Sequence, residues 1–303
     1  MPLLAWMGHR RGLYEVPIHR VYSDLVGTRW LRPWAIGRLE WTHFSRSRTA
    51  ALRRAFAEQS SGRCWLMASI REYHEPMLTS FGENIYFADG PTVSFYGFPY
   101  PTRMAVVRLS TGKVWVWSPV ALTEELVSAV EAVGPVGYIV SPNKLHHLAL
   151  SEWRNRWPDA RLYAPPGLAL KQKDIHFHAE LGDEPDQAWM NDIDQVVFRG
   201  SVAMEEVVFF HRASRTAIFG DLIERFPEAT TTGWKGTLMR LDGLVGKHGS
   251  TAREWRLSFV FRERARAARR KVLGWKPERL LIAHGECAAS GATEIIATAL
   301  QWI

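Results

Sequence analysis

Two adjacent histidines, His146 and His147, stand in the stretch SPNKLHHLAL from Ser141 to Leu150. Imidazole can act near neutral pH as an acid, a base or a metal ligand. The pair follows the apolar run Val136 to Val140, bounded by Gly134 and Pro135, which reads as a short buried strand. It precedes a helix-compatible segment, Leu148 to Trp157, closed by Pro158. The end of a strand, just before a helix, is where α/β sheets place ligands. Two other apolar runs end in the same way: Thr216 to Gly220 delivers Asp221, and Leu280 to Ala283 delivers His284. Each end is a potential metal ligand, and parallel-type burial would bring the ends to one rim. The competing reading of His146 and His147 is a pair of loop residues, one bonded to a backbone carbonyl.

Other residues compete with them. His176 and His178 have the i, i+2 spacing that puts both rings on one strand face. That spacing suits a metal, but it also arises in any half-buried strand. His211 falls between the runs Val207 to Phe210 and Thr216 to Gly220, which read as a β-hairpin around HRASR. It is about five residues, at ~3.3 Å each, from the end that carries Asp221, so it is expected to be a turn residue. Pairing Phe210 with Thr216 sets Glu205 opposite Asp221, with a register error of one. Glu205 or Glu206 is thus expected near a metal, accepting a histidine N–H or acting as a base. The alternative is a solvated edge charge.

The elements that must position these groups begin at Phe81. Asn84 to Asp89 and Val93 to Phe98 read as strands around a Gly90-Pro91 turn. Met104 to Leu109 and Val114 to Trp117 flank STGK, a hairpin turn. Thr123 is the expected N-cap of a helix from Glu124 to Val133. Arg161 to Ala164 and Val196 to Gly200 read as further strands. Hairpins followed by alternating helices and strands argue for an α/β sandwich. Residues 1–77 are rich in tryptophan and arginine, with a helical pattern over 47–59. They are expected to be an extension packed on a main domain of residues 78–303, the alternative being that the aromatic richness marks a partner or lipid surface.

Composition narrows the function. A chain of 303 residues, 47% hydrophobic, can build one large core. Two cysteines are too few for a disulfide framework and fit a reducing compartment, so a cytoplasmic location is expected. No signal peptide is read at the N-terminus, and no apolar run reaches the roughly 18 residues of a membrane span. The net charge of +7 raises nucleic acid or anionic lipid as partners. Much of it lies in RERARAARRK, Arg262 to Lys271, a segment of high helix propensity that reads as a solvated face. No motif that reads RNA or DNA accompanies it, so nucleic acid is not expected as a partner, and the oligomeric state is open.

Residues from about 78 to 303 resemble the metallo-β-lactamase-like superfamily, in its uncharacterised branch known only as a domain of unknown function. MAVVRLSTGKVWVWSP, PNKLHH, YAPPGL, VVFFHRASRTAIFGDL and IAHGE carry the resemblance. It implies an αββα four-layer sandwich. The superfamily motif, His-x-His-x-Asp-His, falls on Pro142, Lys144, His146 and His147; its Gly-Asp falls on Gly220-Asp221, and its final histidine on His284. The downstream histidine has no clear match, Ser201 holding the nearest position. The first metal's histidines are therefore missing, while the second metal's set remains as His147, Asp221 and His284, with His146 in place of the aspartate. The resemblance implies one divalent metal, Zn²⁺ first and Fe²⁺ or Mn²⁺ next. It implies a hydrolase acting on a small molecule, with Lys144 filling the vacated first site and receiving an anionic group. The rival readings are a non-catalytic relic of the fold and an iron-dependent redox enzyme.

Overall fold

Four residues, VWVW at Val114–Trp117, set out the layers. Side chains alternate along a strand, and here both faces are apolar and all four residues are buried. Val114 and Val116 join a core that includes Leu126, Val130 and Trp153, while Trp115 and Trp117 join a second one with Val207, Phe209 and Leu281. A strand buried on both sides must lie inside a sandwich. The structure, a computed structural model, describes residues 77–303 apart from Tyr96 and Gly97. The expected N-terminal extension and its helix over 47–59 lie outside the described residues.

The first sheet has seven strands in sequence order: β1 (Thr79–Gly82), β2 (Ile85–Phe95), β3 (Phe98–Arg108), β4 (Val114–Trp117), β5 (Val136–Val140), β6 (Arg161–Ala164) and β7 (Ala179–Glu180). The pairings are antiparallel through β4 and parallel from β4 onward. The second sheet runs β11-β10-β9-β8, from β8 (Ile193–Phe198), β9 (Glu206–His211), β10 (Thr216–Phe219) and β11 (Arg279–Ile282). Only β10 and β11 pair in parallel there.

Helices cover the outer faces. On the first sheet, α1 (Glu124–Val133) starts where expected, with Thr123 Oγ1 accepting from Leu126 N at 3.2 Å. It buries Leu126, Val127 and Val130. Then α2 (Leu150–Arg156) buries Leu150 and Trp153 on the same sheet. It begins two residues later than the apolar pattern suggests, because bends and turns occupy the chain from Pro142 to Ala149 and no side chain caps the helix. A four-residue turn of helix, α3 (Leu168–Lys171), follows β6. Past the second sheet's hairpin come α4 (Gly233–Leu241), α5 (Arg253–Ser258), α6 (Arg262–Gly274) and α7 (Ala292–Ala299). The basic segment is helix α6, and its buried stripe of Ala265, Ala268 and Val272 packs in one core with Val196 and Phe198 of β8. Three cores separate four layers: helices, sheet, sheet and helices.

Candidate metal centre

The register of β10 on β11 builds half of the site. Phe219 pairs with Ile282 in parallel, so Asp221 and His284, each two residues further on, leave the sheet side by side. His284 Nε2 lies 2.8 Å from Asp221 Oδ1. The other half comes from the first sheet. Trp117 pairs with Val140 in parallel, and Ser118 N donates to Val140 O at 2.9 Å. Ser118, at φ 51°, sits 2.6 Å from His146 Nδ1 through its hydroxyl. This leaves His146 Nε2 3.3 Å from Asp221 Oδ2.

Both imidazoles are held by their outer nitrogens. His284 Nδ1 donates to Pro101 O of β3 at 2.7 Å. A carbonyl only accepts, so Nδ1 carries a proton; Nε2 is protonated as well and donates to Asp221, and loss of that second proton would free its lone pair for a metal. Two residues along β3, Arg103 Nη1 donates to Ile282 O at 2.9 Å and to Gly285 O at 2.7 Å, clasping the turn that carries His284. Gly285 has φ 101°, and a Cβ there would stand 2.1 Å from Arg225 O. The turn therefore needs glycine.

Donor atoms of His146, Asp221 and His284 all lie within 4.8 Å of one another, the group of this kind found among the described residues. Two imidazoles and a carboxylate, each ring anchored at its far nitrogen, fit a divalent ion of borderline hardness. His147 is outside this group; adjacent residues of a turn send their side chains in different directions. Lys144 lies over the turn after β6, its Nζ 3.2 Å from where a Cβ on Gly167 would stand. Ser201 is bonded to Ser258 Oγ and to the amides of Ala203 and Met204. His176 and His178 are exposed ahead of β7 rather than on a strand.

The hairpin brings a different acid forward. His211, not Phe210, pairs with Thr216, a register one residue from the expected one, so Glu206 falls opposite Asp221. It is fully buried and accepts from Gly220 N at 2.9 Å and Asp221 N at 2.8 Å. Glu205 is half-buried, 4.0 Å from Arg199. Gly220 is required by close approach: a Cβ there would meet Glu206 Oε2 at 2.7 Å. Asn143, which reads from sequence as a plain loop residue, joins the two acids. Its Nδ2 donates to Glu206 Oε2 at 2.9 Å and to Asp221 Oδ2 at 2.8 Å, and it is wholly buried. The only available signal was an asparagine in an apolar strand-end context.

Electrostatics follow the burial. For Asp221, burial alone would raise the pKa, but the His146 charge and bonds from both histidines hold it well below the usual carboxylate range. Burial would lower His284, yet its bond to Asp221 and the charges of Asp221 and Glu224 raise it to about 9. Burial and the Asp221 charge push Glu206 up, against the donors that address it. Burial is also the chief cause that lifts Glu224 to about 8.

His211 lies at the far end of the hairpin, buried, with Nδ1 2.7 Å from Ser214 Oγ. Burial lowers its pKa from 6.5 to about 4. The unfolded chain then binds the extra proton between those values, so stability falls as pH drops through that window. The expected loss is about 2 kcal/mol between about pH 7 and about pH 4.5. Urea unfolding at both pH values should show a smaller loss for His211→Asn. Equal losses in the two proteins would rule out His211 as the source.

Comparison with known proteins agrees with this architecture. A family model described as a domain of unknown function (DUF4336) matches residues 92–236. No curated protein matches the chain's sequence. Among solved structures, the DIM-1 metallo-β-lactamase superposes with a TM-score of 0.51 at 15% identity, covering 74% of this chain and 95% of that one. TMB-1 gives 0.52 at 14% identity, with 74% and 96% covered. A metallo-β-lactamase from Pontibacter korlensis gives 0.50 at 13% identity, with 74% and 98% covered. The chain thus has the metallo-β-lactamase-like fold, and its site keeps a single, incomplete set of three metal donors.

Proposed function

We propose that this chain is a mononuclear metal-dependent hydrolase of a small molecule bearing an anionic group. One observation carries the reading: His146 and His284, each pinned at Nδ1, turn Nε2 toward the Asp221 carboxylate. Three protein donors leave coordination positions open, as catalytic sites need and structural sites do not. When bound, a divalent ion there would supply Lewis acidity, Zn²⁺ being the best match to this donor set and Fe²⁺ or Mn²⁺ the next. Asn143 orients Asp221, and Ser118 and Pro101 fix the two rings. To Lys144, on the same loop as His146, we assign the anionic group of the substrate. A reducing, cytoplasmic setting fits Cys287, which is a free thiol.

Protein purified without added metal should contain about one transition metal per chain, and His284→Ala should strip it. Hydrolysis from a panel of esters and phosphoesters should need that metal and be lost in Lys144→Met. Full metal retention in His284→Ala, or no hydrolysis of any member, would sink the proposal. Ser118→Ala should weaken metal binding by about 10–100-fold through loss of the His146 anchor, as competition with a chromogenic chelator can measure.

A further inference from the structure

Away from the metal centre, large apolar side chains gather at the surface around the link between α5 and α6. Leu257, Val260 and Phe261 are 73%, 62% and 61% exposed, and Val202 is 68% exposed. They form one patch, because Val202 N donates to Ser258 O and Phe261 N donates to Gly200 O, both at 3.0 Å. Leu241 extends it: its carbonyl accepts from Arg253, which stands one helical turn before Leu257. Single exposed apolar residues are ordinary, but a contiguous set is not.

The rim is basic. From Arg253 to Lys271 the chain has eight cationic residues against two acidic ones. The Arg264 guanidinium lies 6.0 Å over the Phe261 ring, and Arg262 lies over Trp302. Arg264 and Arg270 are exposed and have no acidic partner among the described residues.

We propose that this patch docks on an anionic lipid bilayer, with Leu257, Val260 and Phe261 entering the interface and the α6 arginines meeting the headgroups. A bilayer supplies an apolar phase and negative charge together, which matches both halves of the surface. A second copy of the chain would set unneutralised arginines against each other. Nucleic acid would answer the charge but give Val202, Leu257 and Val260 nothing to bury against.

The test is co-sedimentation of the full chain with vesicles of phosphatidylcholine, with and without phosphatidylserine. Binding should require phosphatidylserine and weaken with salt. It should fall on the order of tenfold or more in Leu257→Ser/Phe261→Ser and in Arg264→Glu/Arg270→Glu. These side chains are exposed, so unchanged unfolding midpoints and metal content are expected to confirm that the variants fold. No binding, binding to neutral vesicles alone, or undiminished binding by both variants would overturn the proposal. So would a dimer that Phe261→Ser dissociates, or capture by an acidic protein, with vesicles ignored.

Discussion

Asp221→Asn is expected to lower affinity for the divalent ion by two orders of magnitude or more, while leaving the metal-free fold nearly as stable. Among the three donors only Asp221 brings negative charge, and it is the one the other two share. Structural zinc sites with four ligands bind with about 10–16 kcal/mol, so one ligand carries roughly 3 kcal/mol, or about two decades. The fold tolerates the amide because its oxygen can accept from Asn143 while its NH₂ donates to Nε2 of a neutral His284. Chelator competition and a thermal melt of the apoprotein separate the two expectations. Unchanged affinity would show that the ion is held elsewhere.

Glu206→Ala is expected to destabilise the protein by about 3–5 kcal/mol, and Glu205→Ala by less than about 1 kcal/mol. Adjacent in sequence and alike in chemistry, the two differ in what they satisfy. Glu206 accepts from Gly220 N, Asp221 N and Asn143 Nδ2 in a place with no exposed surface. Truncation leaves those donors buried and unpaired, at about 1–3 kcal/mol each. Glu205 has only Arg199 at 4.0 Å, and both side chains are partly solvated. Glu206→Gln, which keeps an acceptor oxygen, should fall between them. Urea unfolding of the three variants decides the matter, and a larger loss in Glu205→Ala would refute the pairing of Glu206 with Asp221.

That contrast also marks the boundary of what local pattern determines. Alternation and run length made β4, β5, β6 and the ends of β10 and β11 legible, since a strand's face and its bounding turn residues are nearest-neighbour properties. Thr123 announced α1, and the strand ends offered four candidate donors, His146, His147, Asp221 and His284, without deciding between the adjacent histidines; it is His146 that meets Asp221 and His284. The IHFH stretch shows the limit of the same rule: its spacing allowed a strand, but the chain turns there and pairs only from Ala179.

Register was beyond that reach. The hairpin loop is four residues long, with Arg215 at φ 52°, rather than five, and that one residue exchanges Glu205 for Glu206 beside Asp221. Asn143, Ser118 and Pro101 were invisible for a different reason. An asparagine and a serine in loops look like turn chemistry, and a backbone carbonyl has no side-chain signature at all. Their partners stand 78, 28 and 183 positions away in the chain. The residue types at strand ends determined which atoms are able to bind a metal. Only the packing of two sheets, which brings β3 and β4 against the ends of β10 and β11, decided which of them do and how each ring is aimed.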